Sequence, residues 1–117
     1  MTGSAIDPVA FARLAEITGD DPAFLSELVD TYLEDGAIQV EALRTAAASG
    51  DVAALVRPAH TLKSSSASIG VMTLAEDCRS LEADARADLV TDAAARADTI
   101  AAGFDAVRTA LRGDQPG

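Results

Sequence analysis

The chain has 117 residues, a formal net charge of −10 at pH 7, and 49% apolar but only 3% aromatic residues. This length allows one domain with a single core and is too short for two. Carboxylates scattered along the chain repel phosphate backbones and anionic lipid head groups, which makes nucleic acid and membrane surfaces poor partners. We expect one all-helical domain over residues 1–117, with frayed tails at 1–6 and 113–117.

Cysteine and histidine usage narrows the chemistry further. Cys78 is the only cysteine, so an intramolecular disulfide and a cysteine-based zinc site are excluded. One histidine without clustered cysteines cannot form a closed metal site either. The sequence has no signal-peptide pattern and no run of ~18 uncharged apolar residues that could span a membrane. We predict a soluble, cytoplasmic, monomeric protein without a bound metal, and free-standing because it starts at Met1 and has no linker at either end.

The first half of the chain carries two helix signals. A short helix is predicted from Asp7-Pro8 to near Gly19, and a long one from Asp21-Pro22 to about Ser49, because an Asp cap followed by Pro is typical of a helix start. The long helix has apolar or small residues at steps of three and four: Leu25, Val29, Tyr32, Gly36, Val40, Leu43 and Ala47. Gly36 on this line indicates a close helix crossing or a bend.

The third helix follows almost without a loop. Gly50 ends the long helix, Asp51 caps the next one and Gly70 ends it, which predicts antiparallel neighbours. Pro58 is expected to kink this helix or to mark where its regular part begins. The residues predicted to face inward are Val52, Leu55, Ala59, Leu62, Ser66 and Ile69.

Two more helices complete the predicted fold. A capping box is expected at Thr73-Leu74-Ala75-Glu76, and Thr91 or Asp92 can cap the last helix. Their inward lines are Leu74, Cys78, Leu81 and Ala85, then Ala94, Ala97, Ile100, Phe104, Val107 and Leu111. We interpret Cys78 as a small buried hydrophobe rather than a redox residue. The predicted fold is all-α, an antiparallel four-helix bundle with a short additional N-terminal helix.

The third helix presents the only histidine outwards. His60 lies roughly 130° from the centre of the apolar line, with Arg57, Ser64 and Ala67 on its face and Lys63 at the margin. An exposed neutral imidazole can attack phosphorus, and nearby cations can stabilise the roughly two negative charges of the product. The small side chains at 64 and 67 leave room for a second protein that carries a phosphoaspartate. Spacing alone leaves an ordinary surface histidine as the alternative.

The residues of this helix carry a more specific pattern. His60-Thr61-Leu62-Lys63-Ser64-Ser65-Ser66-Ala67-Ser68-Ile69-Gly70, followed by Leu74, Cys78, Leu81 and Glu82, resembles the signature of histidine-containing phosphotransfer (HPt) domains. The match consists of a histidine, a lysine three residues later, small residues, a glycine ten later, and Leu and Leu-Glu in the next helix. One departure is Ser64, where many members of the family have glycine.

The resemblance implies a role for the chain in a multistep phosphorelay. By the resemblance, His60 would be phosphorylated with support from Lys63. Ser64, Arg57 and Ala67 are expected to contribute to binding because they share the helix face of His60. The partners implied are receiver domains of response regulators and a hybrid or sensor histidine kinase. Mg²⁺ is expected on the receiver and no cofactor on this chain. The chain would be a phosphocarrier and not a kinase, since it has no nucleotide-binding glycine loop.

Two other functions are compatible with parts of the sequence. A bundle that docks to a receiver or kinase and sequesters it, without being phosphorylated, would fit the serine at position 64. An enzyme with His60 as general base is disfavoured, because positions 56, 57, 63 and 64, the neighbours on its own helix, offer no Asp or Glu to orient the ring.

Overall fold

Four α-helices make up most of the computed structural model, which describes Glu16, Gly19 and residues 21–111. They are α1 (Pro22–Ser49), α2 (Val56–Ser68), α3 (Met72–Arg86) and α4 (Ala93–Leu111), with a 3₁₀ turn at Ala53–Leu55 before α2. The described range contains no strand, so the predicted all-α antiparallel bundle is confirmed. The predicted N-terminal helix, apart from Glu16 and Gly19, and the two predicted tails lie outside the described residues.

Local chemistry sets where the helices start. Asp21 Oδ1 accepts from the backbone N–H groups of Ala23 and Phe24 at 3.0 and 3.4 Å, and Pro22 occupies the first turn of α1, as predicted. Asp51 accepts from the Ala54 N–H at 3.1 Å and so caps the 3₁₀ turn. Pro58 lies in the first turn of α2, where its missing N–H breaks no helical hydrogen bond, so it marks the start of the regular helix rather than a kink.

Three helix ends share one backbone motif. After α1, Gly50 adopts φ 72° and its N–H bonds the Ala47 carbonyl at 3.2 Å, while the Asp51 N–H bonds Ala46 at 3.0 Å. This pair of bonds defines a Schellman motif, which needs one residue in the left-handed region. The same pair recurs at Gly70 after α2 and at Asp88 after α3. The turns are therefore tight, and successive helices return antiparallel.

Two details of the prediction are wrong. The capping box at Thr73 does not form, because α3 already begins at Met72 with Val71 at its cap position and no side-chain cap bond. The Schellman turn at Gly70 ends at Val71, whose carbonyl accepts from the Ala75 N–H at 3.0 Å and starts the helix earlier. Ala94, predicted to face inward, is exposed, whereas Ala97 on the same predicted line is buried.

The core runs the length of the bundle, and α1 and α4 cross closely at Gly36. Its fully buried large side chains are Leu43, Leu55, Leu62, Val71, Leu81, Ile100 and Val107. Gly36 lies directly against the ring of Phe104, so that a Cβ at this position would overlap the ring. The predicted close crossing at Gly36 is thus present. No described helix is both long and apolar enough to cross a membrane.

Replacing Gly36 with alanine tests how tight this crossing is. Helix propensity favours alanine by about 1 kcal/mol, but overpacking costs about 1–3 kcal/mol, and Phe104 has little room because it is 3% exposed and packs on Tyr32. We expect a net loss of up to about 2 kcal/mol in the free energy of unfolding, measured by urea denaturation. Gly103→Ala is the control, because a Cβ there meets Leu74 at an ordinary 3.4 Å. Equal stability of the two variants would contradict a tight crossing.

Candidate functional site

The predicted site residues share the outer side of α2. The side chain of His60 is 53% exposed, and Arg57, Ser64 and Ala67 are exposed as well. Lys63 is less exposed, at 28%, because it leans towards α3. The opposite side of α2 buries Ala59, Leu62 and Ser66, as the sequence pattern predicts. The helix thus holds His60 at the surface with a packed face behind it.

A carboxylate from the neighbouring helix joins His60 to Lys63. Glu82 of α3 lies with its Oε2 3.0 Å from His60 Nδ1 and its Oε1 2.9 Å from Lys63 Nζ. Arg86, one turn further along α3, bonds the same Oε2 at 2.8 Å through Nη2 and at 3.0 Å through Nε. The Glu82 side chain is only 8% exposed. One nearly buried carboxylate therefore joins three side chains, those of His60, Lys63 and Arg86.

The charge state of Glu82 decides the tautomer of His60. Hydrogen bonds from Lys63 above all, and from Arg86 and His60, lower the pKa of Glu82 from 4.5 to about 2, although burial opposes this shift. At neutral pH the carboxylate can only accept hydrogen bonds, so His60 Nδ1 must carry a proton and donate it. In the neutral ring, Nε2 then holds the lone pair, and it makes no hydrogen bond to the described residues. The contact with Glu82 thus selects the tautomer of the neutral ring in which Nε2 is the nitrogen without a proton.

A buried hydrogen bond fixes α2 against α1. Ser66, fully buried, and Tyr32 of α1 lie with their hydroxyl oxygens 2.8 Å apart. Burial raises the pKa of Tyr32 to about 12, so its hydroxyl remains neutral and able to donate. The neighbouring serines make different contacts. Ser65 donates to the Leu62 carbonyl of its own helix, whereas Ser66 bonds Tyr32 of α1. The face of α2 that opposes His60 is thus held by packing and by one polar contact.

Sequence reasoning named Glu82 as part of a signature but gave it no role, and it did not single out Arg86. The helix of His60 has no carboxylate at the neighbouring positions, as the sequence predicts, but Glu82 of α3 orients the ring instead. One signal was available: Glu82 borders the apolar line of Cys78 and Leu81, and Arg86 follows at the spacing of a helical ion pair. The sequence does not predict which face of α3 contacts His60.

Other reactive groups lie away from this site. Cys78 is fully buried, and burial raises the pKa of its thiol to about 12, which agrees with its interpretation as a small hydrophobe. Within the described part of the chain, no three His, Cys, Asp or Glu side chains are grouped as a metal site would require. Arg57 has no ion pair with a described residue, and it is exposed on the outer side of α2.

Comparisons with known proteins give a consistent result. The family model described as Hpt domain matches residues 27–110 of the chain. Among solved structures, the chain is similar to the crystal structure of histidine-containing phosphotransfer protein B (HptB) from Pseudomonas aeruginosa PAO1. The TM-score is 0.85 and the identity 28%, with 97% of this chain and 96% of that chain covered. No curated protein matches the sequence. The family match includes α2 and α3 in full, and with them His60, Lys63 and Glu82.

Proposed function

The chain belongs to the Hpt domain family and is a histidine phosphotransfer protein of a phosphorelay, and we propose on this premise that Nε2 of His60 is the atom that carries the phosphoryl group. The observation that supports this choice is the contact between His60 Nδ1 and Glu82 at 3.0 Å. It holds the proton on Nδ1 and leaves the lone pair on the exposed nitrogen.

The transfer step follows from this arrangement. The lone pair of His60 Nε2 attacks the phosphorus of an aspartyl phosphate on a partner, the N–P bond forms, and the P–O bond to the aspartate breaks. The aspartate leaves as a carboxylate, and no proton has to move. The ring becomes positively charged as the N–P bond forms, and the Glu82 carboxylate beside Nδ1 stabilises that charge. Reversal of the step passes the phosphoryl group to another aspartate.

The remaining predicted residues have supporting roles in this proposal. Lys63 can turn from Glu82 to the phosphoryl oxygens, because its side chain is partly exposed and flexible. Arg57 adds a second positive charge on the same helix. Ser64 and Ala67 keep the surface beside the imidazole low, and the Ser64 hydroxyl can donate to the phosphoryl group where many family members have glycine.

Hpt domains interact with receiver domains and histidine kinases, and we propose both kinds of partner for this chain. The phosphoryl donor and acceptor would be receiver aspartates, and Mg²⁺ would be bound by the receiver. The chain itself would have no kinase activity and would act as a monomer in the cytoplasm.

Chemical stability of the label tests the proposal. We expect a receiver domain phosphorylated with acetyl phosphate to label the chain with a phosphoryl group that acid removes and base does not, as a phosphorus–nitrogen bond requires. A second, unphosphorylated receiver should then remove the label. The measurement is radioactivity retained on the chain after acid or base treatment.

The same assay separates this function from sequestration. A helical module that only docks would bind the receiver, with no detectable label, and would bind as well after His60→Ala. Binding by calorimetry together with labelling therefore distinguishes the two. A label that resisted acid but not base would place the phosphoryl group on an oxygen and contradict the choice of His60.

A further inference from the structure

Acidic and basic residues are unevenly distributed over the four helices. α1 carries one basic residue, Arg44, and five acidic ones: Glu27, Asp30, Glu34, Asp35 and Glu41. α2 carries Arg57 and Lys63 and no acidic residue. The acid-free stretch runs from Val52 to Ala75, although the chain has 19 acidic residues in total. Among the described helices, α2 alone has a positive formal charge, +2 against −4 for α1.

Two arginines of α3 extend this positive region. Arg86 bonds Glu82 beside His60, and its side chain is 60% exposed. Arg79 precedes Glu82 by three residues and so lies on the same side of α3, one turn away. Its side chain is 58% exposed and pairs with the exposed Glu76. We call Arg57, Lys63, Arg79 and Arg86 the basic face. The acidic side chains paired with it are Glu76 and Glu82, so these six side chains together have a net charge of +2.

We propose that the basic face is the recognition surface for the acidic protein surface that surrounds a partner's phosphoaspartate, and that Arg79 determines affinity without contact to the reacting atoms. This inference rests on the proposed function, since it deepens the partner assignment of the same site. The net charge of −10 repels an acidic partner from the molecule as a whole. Because the attraction is confined to one face, the chain should meet its partner with His60 turned towards the partner.

Electrostatic attraction of this kind acts on the encounter rather than on the chemical step. The second-order rate constant of transfer should fall with rising salt, because ions screen exposed charges over about 10 Å at 0.1 M. The rate constant at saturating partner should be insensitive to salt, since the reacting atoms and Glu82 are unchanged. Arg79 has no contact with His60. Its removal should therefore lower the second-order rate constant and leave the rate constant at saturating partner unchanged.

A matched pair of charge reversals tests the proposal. Arg79→Glu and Arg108→Glu make the same change in net charge, and each removes an exposed arginine that pairs with a carboxylate three residues earlier. Arg108 lies on α4, outside the basic face. The probe is a receiver domain that labels the wild-type chain, phosphorylated with acetyl phosphate. We expect Arg79→Glu to lower kcat/KM about tenfold at low salt and less than about twofold at 0.5 M, and Arg108→Glu to change it by less than about twofold.

Each outcome has a definite meaning. A larger loss for Arg79→Glu that disappears with salt, at an unchanged saturating rate, supports the basic face. Equal effects of the two reversals would show that net charge alone matters and would overturn the basic face while the proposed function stands. A loss in the saturating rate for Arg79→Glu would give this residue a role in the chemistry and would also overturn the inference. Absence of transfer to the wild-type chain would overturn the proposed function itself.

Discussion

Replacing His60 with glutamine is expected to abolish labelling by a phosphorylated receiver, with a loss of at least about 10³-fold. Glutamine has a similar length and is well tolerated in helices, but its amide nitrogen has no free lone pair to attack phosphorus. His60 is the only histidine of the chain, so no second imidazole can replace it. The measurement is phosphoryl incorporation over time at saturating receiver.

The control for this variant should make the same kind of substitution on the same helix but leave the site intact. Ser68→Gln introduces the same side chain at an exposed position of α2, two turns further along, and should retain labelling. Both variants should unfold at the temperature of the wild-type chain within a few degrees, because both positions are at the surface. A phosphoryl group on His60→Gln would exclude His60 as the carrier.

Replacing Glu82 with alanine should lower the rate constant of transfer at saturating receiver about 10- to 100-fold. Without the carboxylate, the proton of the imidazole can occupy Nε2, and the charge that develops on the ring loses its partner 3.0 Å away. Glu82→Gln keeps an oxygen that accepts from Nδ1 but has no charge, and we expect it to recover part of the loss. Glu76→Ala is the matched control, since it removes an exposed carboxylate two turns earlier on α3.

The pH dependence of the unfolding free energy tests the lowered pKa of Glu82 independently of phosphotransfer. Its pKa is about 2 in the folded chain against an ordinary 4.5, so its ionised form stabilises the fold above about pH 4.5. This contribution is lost as the pH falls from about 4.5 through 2, where the folded chain takes up the proton. Glu82→Gln has no such group, and its difference from wild type in unfolding free energy should shrink over that range. A constant difference down to pH 2 would contradict the lowered pKa.

Helix boundaries were predictable because they depend on local chemistry. Asp21 and Pro22 start α1, and Gly50 and Gly70 end helices through φ values that side chains rarely adopt. The capping box at Thr73 failed for a physical reason of the same kind. Two local signals competed there, and the Schellman turn at Gly70, with two backbone bonds, fixed the start of α3 before the threonine.

The site was predicted in part. The outward direction of His60 and the closeness of Lys63 follow from helix periodicity, and the structure shows both. Glu82 lies 22 residues from His60 along the chain, and its contact depends on how α2 and α3 are rotated against each other. That rotation is set by buried side chains from several helices, such as Leu62, Leu81 and Ile100. A pattern within one helix holds no information about it.

Lys63 is proposed to contact Glu82 before transfer and the phosphoryl oxygens after it, and this exchange would affect how readily the chain gives up its phosphoryl group. In the unphosphorylated structure, Lys63 Nζ lies 2.9 Å from Glu82. If this ammonium turns to the phosphoryl oxygens, Glu82 loses one of its three partners, and the phosphorylated form loses part of the energy that the new contact provides. A lysine without a partner in the resting state would stabilise the phosphohistidine more strongly. Pairing with Glu82 would therefore leave the phosphohistidine with a higher group-transfer potential. Under the proposed role of Lys63, the ion pair that orders the resting site would therefore favour reversible transfer.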